Sequence, residues 1–201
     1  MQAGLKGEYN RVFKFHGDIN AVGRIELNKR LSFKSGFSLE FEQNITKIST
    51  FANGSFGILK SKPLGTALSY IYNGQPQYSI NRHSILPFIF WHDKYWGIAI
   101  GCSFRLNSFF GEKPIFEPAF SYYVYGNFIN NETLRIGVRV ANFGDFYAEN
   151  LSSYSLCFYS DIRLNSLLSL INEIELLQSG SIALAANFYG IALRAGVKFT
   201  W

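Results

Sequence analysis

Polar and apolar residues alternate with a period of two along nearly the whole 201-residue chain. In residues 96–107, tryptophan, isoleucine, cysteine, phenylalanine and leucine point to one side, while glycine, alanine, serine, arginine and asparagine point to the other. Apolar residues almost nowhere return at helical spacing, and no run of about 18 apolar residues could form a membrane-spanning helix. The pattern therefore predicts an all-β protein.

Turn-forming residues divide the chain into about twelve strands, with ten to fourteen as the range. An even number places both termini on one side of an up-and-down sheet. The connections alternate in length, and the short ones are residues 28–32, 61–63, 92–94, 130–133 and 165–166. No stretch has linker composition, so we expect residues 1–201 to form one domain, a closed antiparallel barrel with short periplasmic turns and longer extracellular loops.

A soluble β-sandwich or lipocalin-like barrel also alternates, with the apolar face as its core. Composition favours lipid contact over water contact, because aromatic residues make up 17% of the chain and charged residues only 16%, against a usual charged fraction of about 25%. The polar face carries glycine, alanine and serine between its charges, which leaves space inside a barrel. Aromatic residues also gather beside the turns, as interfacial girdles would: Trp91, Tyr95, Trp96, Phe109, Phe110 and Tyr147.

The last strand of the chain ends in mid-alternation at an aromatic residue. Its apolar positions alternate back from the end of the chain: Tyr189, Ile191, Leu193, Val197, Phe199 and Trp201. This segment resembles the C-terminal strand signal of bacterial outer-membrane β-barrel proteins, with Trp201 where that family usually has phenylalanine. The resemblance implies a small porin-like barrel in the outer membrane, surrounded by lipid and inserted by the barrel-assembly machinery. The first residues have neither a basic nor an apolar leader region, so we expect a mature sequence whose signal peptide has been removed.

Charged side chains fall mainly on the predicted inward face. This lumen set comprises Lys14, Arg24, Glu26, Lys34, Glu40, Glu42, Arg105, Glu117, Arg135, Arg139, Asp161, Arg163, Glu173, Glu175, Arg194 and Lys198. Cations hold a slight majority, which favours a pore for small polar or anionic solutes. The alternative is that these charges pair across strands and plug the lumen. Strand order suggests such a ladder, with Arg135 and Arg139 near Asp161, and Arg163 near Glu173 and Glu175.

Other functions have weaker signals. The net charge of +5 comes from scattered basic residues, which argues against nucleic-acid binding. No metal-ligand spacing or phosphate loop is present, so we expect no metal or cofactor.

His83 and His16 lie at predicted outer strand ends, where a lipid-modifying enzyme would need them, but His83 and Ser84 point to opposite faces. Cys102 and Cys157 fall on opposite faces, so we expect no disulfide between them. The longer loops 73–82, 107–114 and 142–152 could instead bind a ligand or a host surface.

Overall fold

The computed structural model describes residues 2–10, 15–42, 45–58, 63–146, 153–179 and 187–200. Among these residues, the regular structure is β-strand apart from one 3-10 turn, Pro76–Tyr78. No helix in the described part of the chain is long and apolar enough to cross a membrane. The strands are β1 Gln2–Asn10, β2 Phe15–Glu26, β3 Leu31–Glu42, β4 Ile45–Gly57, β5 Leu64–Gln75, β6 Ile80–His92, β7 Trp96–Ser108, β8 Ile115–Asn130, β9 Leu134–Ala141, β10 Ser153–Arg163, β11 Leu168–Ser179 and β12 Asn187–Thr200.

Each strand pairs antiparallel with its neighbours in the chain. The first strand also pairs with the last, from Gln2 opposite Thr200 to Asn10 opposite Ala192. The strand order is therefore cyclic, and each strand has a hydrogen-bonded neighbour on both edges. The predicted all-β, antiparallel, up-and-down arrangement is confirmed.

In the four short turns that the structure describes in full, a side-chain oxygen at the first position fixes the geometry. Asn28 Oδ1 accepts hydrogen bonds from the amides of Arg30 and Leu31 at 2.8 and 2.9 Å. The same two-amide pattern recurs at three further turns, which begin at Asp93, Asn131 and Asn165. Asn and Asp favour such turns because the side chain replaces a backbone acceptor. Residues 27–32 and 164–169 are similar in sequence, LNKRLS and LNSLLS, because both form this type of hairpin turn.

The two faces of the sheet have the burial that a barrel in lipid requires. On β7, Ile100 and Phe104 are 45% and 40% exposed on the outside, whereas Ser103 and Arg105 are 0% and 2% exposed on the inside. The same outward exposure of large apolar side chains is found on β2 to β6, on β8 and on β10 to β12, from Ile19 to Phe199. A water-soluble sandwich buries its apolar face, so this inverted burial excludes that packing for the described residues.

Aromatic side chains gather at the end of the sheet that carries the short turns. Trp91 and Trp96 lie on adjacent strands with ring centroids 3.7 Å apart. The ammonium group of Lys94 lies 5.5 Å from the centroid of the Tyr95 ring. Amphipathic rings and a nearby cation suit the level of lipid headgroups. At the opposite end, Phe109 and Phe110 follow β7 and are exposed, while Tyr147 lies outside the described residues.

Candidate pore lumen

A long cavity of about 1210 Å³ lies inside the barrel. Its lining includes Asp93 and Lys94 in the short β6–β7 turn. The lining also includes Gln75, at the far end of β5, and Phe109, just beyond the far end of β7. Because these residues lie at opposite ends of the strands, the cavity extends along the whole height of the barrel wall.

Charges of both signs line the cavity in nearly equal number. Eight lysines and arginines and seven aspartates and glutamates contribute to the wall. From the predicted lumen set, the cavity is lined by Lys34, Glu40, Arg135, Arg139, Asp161, Glu173, Glu175, Arg194 and Lys198. The field inside is therefore only weakly positive, and the position of each charge matters more than the sum.

A ladder of ion pairs runs up strands β9 to β12. Arg135 contacts Asp161 at 3.2 Å, and Lys198 pairs with the same carboxylate. Farther along, Arg194 pairs with Glu175 and lies 3.7 Å from Glu173. We call these groups, together with Arg139, which lies 4.0 Å from Glu175, the charged ladder.

The predicted partners of Arg163 are wrong. Its Nε donates to the backbone oxygen of Asn165 at 3.3 Å, and Glu173 and Glu175 pair with Arg194 instead. The strand register explains the difference, because Arg163 lies opposite Ser169 at the end of β10, whereas Glu173 lies opposite Arg194 on β12. Residues on adjacent strands can pair only where the register brings them to the same height.

Several predicted lumen residues lie apart from the cavity lining. Arg24 and Glu26 pair with each other at 2.9 Å, and both side chains are more than 60% exposed. Arg105 is buried and lies 3.6 Å from Glu117, whose carboxylate also accepts a hydrogen bond from Asn107. Lys14 is outside the described residues, and Glu42 is described only through its backbone pairing in β3.

The wall formed by β2 to β5 is mainly neutral and polar. Ser49 donates to Asn73 at 2.8 Å, and the Asn53 amide donates to Ser69 at 2.7 Å. Lys47 pairs with Glu40 at 2.8 Å near the end that carries the longer loops. Hydroxyl and amide groups of this kind can exchange hydrogen bonds with a passing polar solute.

An apolar cluster inside the barrel is absent from the predicted site. Its buried members are Phe51, Ile71, Leu86, Ala99 and Phe143, with Phe88, Tyr123 and Phe146 packed against them. Residues 142–146 belong to a segment that was predicted as an outer loop, and they lie in the lumen instead. The sequence contains a signal for the part of this cluster that lies on β6. Residues 85–91 are apolar at both odd and even positions, so either the odd or the even residues must point inward.

The remaining candidate residues have structural partners or lie outside the described part. His83 Nδ1 is 2.8 Å from the Tyr70 hydroxyl on the outer face, while Ser84 is buried on the inner face. The side chain of His16 is not among those described. Cys102 is exposed, Cys157 is buried and both are free thiols. The described residues contain no group of three His, Cys, Asp or Glu side chains that could hold a metal ion.

The terminal strand has the outward apolar row on which the resemblance rests. Ile191, Leu193 and Phe199 are exposed on the outer face of β12. Val197 shares their parity, opposite Leu5 of β1 and Leu170 of β11. Tyr189 is described through its backbone only, and Trp201 lies outside the described residues.

Comparison with known proteins finds similar structures. No family model matches the chain, and no curated protein matches it by sequence. The NanC porin superposes with a TM-score of 0.73 at 9% identity, covering 99% of this chain and 100% of that one. The KdgM porin in complex with disordered oligogalacturonate gives 0.64 at 9% identity, covering 100% and 99%. The Acinetobacter baumannii outer membrane protein Omp33 gives 0.54 at 11% identity, covering 100% and 97%. The chain therefore has the fold of the small outer-membrane porins.

Proposed function

We propose that this chain forms a closed twelve-stranded barrel in the bacterial outer membrane and acts as a small pore for polar and anionic solutes. The cyclic strand order and the outward apolar face support the closed barrel and its place in lipid. Around it lie membrane lipids, and the terminal strand is the segment that the assembly machinery would recognise.

The observation that carries this proposal is the cavity that reaches both ends of the wall. Its 1210 Å³ leave room for tens of water molecules, which supports a hydrated path beside the charged ladder. A plug would fill the lumen over at least one cross-section. The alternative of a closed barrel with ligand-binding outer loops is favoured by one finding, the apolar cluster, because it occupies part of the lumen.

The lining suggests solutes that combine hydroxyl groups with carboxylates. Asn53 and Ser69 on the neutral wall can bond to hydroxyls, whereas Arg135 and Arg139 on the charged ladder can attract carboxylates. The KdgM porin, a structural neighbour, was solved with oligogalacturonate, a carboxylate-bearing sugar chain. We propose the same broad chemical class for this pore, with weak anion preference because most cations on the wall face a carboxylate.

Planar-bilayer recording tests the proposal directly. The wild-type protein should give discrete openings, and the double substitution Arg135→Gln with Arg139→Gln should lower the chloride-to-potassium permeability ratio by roughly threefold. The matched control replaces two exposed lysines outside the lumen, Lys29→Gln with Lys113→Gln, and should leave the ratio unchanged. A protein that shifts on boiling in detergent gels, and is therefore folded, yet gives a silent bilayer would refute the pore and favour the plugged barrel.

A further inference from the structure

Strand β9 leaves the barrel wall at about half its height. It spans Leu134–Ala141, eight residues, while its neighbour β8 spans Ile115–Asn130, sixteen residues. The next residue, Asn142, is fully buried and closes the strand with three hydrogen bonds to β8. Its backbone N–H donates to the Tyr122 oxygen at 3.1 Å, its Oδ1 accepts from the Tyr122 amide at 2.8 Å, and its Nδ2 donates to the Phe120 oxygen at 2.8 Å. Asn142 thus fixes the point at which the chain turns inward.

The residues that follow cross the lumen, and we call 142–146 the strap. Phe143 packs against Phe88 and Tyr123, with ring centroids 5.4 and 6.0 Å apart. Phe146 meets the edge of Phe51 on β4 at 4.9 Å between centroids. These contacts hold the strap against the inner wall of β4, β6 and β8.

The far end of the strap reaches the opposite side of the barrel. Asp145 pairs with Lys34 on β3, and the Lys34 ammonium also lies 5.5 Å from the centroid of the Phe51 ring. In the cyclic strand order β3 and β9 are six strands apart in either direction. A contact between the end of β9 and β3 therefore spans the diameter of the lumen.

At its own level along the barrel axis, the strap separates two unlike halves of the lumen. On the side of β4 to β7, the inward residues Phe51, Ile71, Leu86 and Ala99 are buried with Phe143 in the apolar cluster. A densely packed apolar region excludes water and ions. On the side of β9 to β12, the charged ladder lines the cavity.

We propose that the strap is the constriction of this pore: at its own level along the barrel axis it closes the apolar half and confines permeation to the charged half, so that Phe143, Asp145 and Phe146 set the size limit. This inference rests on the proposed function, because a size limit requires that solutes pass. The two phenylalanines anchor the strap by burial, and the Asp145–Lys34 pair fixes its far end. The same pair also neutralises a cation at the narrowest level, which lowers the anion preference there.

Two variants separate the anchoring role from the charge role. Phe143→Ala with Phe146→Ala removes the apolar anchors, so single-channel conductance should rise by about twofold as the second half opens, and larger uncharged polyethylene glycols should enter. Asp145→Asn keeps the anchors and frees the Lys34 charge, so the chloride-to-potassium permeability ratio should rise while the polymer size limit stays close to that of the wild type. The matched control is Phe116→Ala with Phe128→Ala, two exposed phenylalanines on the lipid side.

The outcomes distinguish this inference from the function on which it rests. In one outcome the wild type conducts, and the Phe143→Ala with Phe146→Ala variant keeps the same conductance and size limit although its gel shift shows that it is folded. The constriction is then elsewhere in the pore, and the inference is wrong. If the wild type is silent while that variant conducts, the strap crosses the lumen as inferred but acts as a plug, and the proposed open pore falls instead. An equal rise in the single-channel conductance of the Phe116→Ala with Phe128→Ala control would also overturn the inference, because the effect would then not depend on the strap.

Discussion

The buried carboxylate of Glu175 offers the sharpest test of the charged ladder. Its side chain is 5% exposed, pairs with Arg194 and lies 4.0 Å from Arg139. Replacing it by glutamine keeps the shape and removes the charge, which leaves two guanidinium groups near one another with Glu173 as a remaining carboxylate. Two unit charges at 4 Å interact by about 4 kcal/mol at an effective dielectric constant of 20. Because glutamine still accepts a hydrogen bond, we expect Glu175→Gln to lower the free energy of unfolding by about 2–4 kcal/mol.

The matched control is Glu26→Gln. Glu26 also pairs with an arginine, at 2.9 Å from Arg24, but both side chains are more than 60% exposed. An exposed pair contributes at most about 1 kcal/mol, because water screens both charges. The two substitutions are chemically identical and differ in burial, so their difference measures the contribution of the lumen environment.

The assay is the temperature at which the folded band disappears from unboiled detergent gels, combined with the reversal potential in a salt gradient. Glu175→Gln should lower that temperature by roughly 5–15 °C and should raise the chloride preference of the pore, since an inward anion is lost. Glu26→Gln should change neither value measurably. Equal shifts in both variants would refute the argument, because the ladder would then be no more shielded from water than a surface pair.

Two further predictions concern the wall itself. Gly101→Ala should prevent folding or lower the free energy of unfolding by about 1–3 kcal/mol, because the added Cβ would lie 2.1 Å from the backbone oxygen of Pro87. The control Gly17→Ala should be tolerated, because nothing lies within 4 Å of its added Cβ. The detergent gel shift checks both variants, and equal behaviour of the two would contradict this packing argument. Ile100→Arg on the outer face should lower the free energy of unfolding in a bilayer by about 2–4 kcal/mol, so this variant should assemble into lipid vesicles less well than Ile100→Leu. If the arginine variant assembles as well as the leucine variant, this face does not contact lipid.

The alternation of side chains predicted the strands and their two faces well. Ile100 and Ser103 lie on the outer and inner faces that their parity assigns, because the period of two is a geometric property of any strand. The turns followed from local chemistry as well, since Asn28 and Asn165 form the two-amide turns with their own neighbours. Features decided within a few residues of the chain were therefore accessible from the sequence.

Features that depend on the register between strands, or on the path of the chain beyond a strand, could not be predicted from the sequence. The pairing of Glu173 with Arg194 instead of Arg163 depends on how far two strands are displaced, and parity carries no information on that displacement. The inward path of Phe143 lies beyond the end of a strand, where alternation no longer applies. Inward Leu86 was missed for another reason, because an inner face was expected to be polar throughout.

The proposed division of the lumen would explain how a barrel with nearly balanced wall charges discriminates among solutes. If the whole cross-section were open, a solute could pass far from any one charge, and eight cations against seven anions would leave little preference. If the cluster around Phe143 fills one half at the level of the strap, the remaining path would run beside the charged ladder, where Arg135 and Lys198 share the single carboxylate of Asp161. A carboxylate-bearing solute in that narrowed half would meet two cations for one protein anion at short range, where the interaction is least screened. Selectivity in this pore would then come from the strap, which decides how closely a solute must approach the ladder.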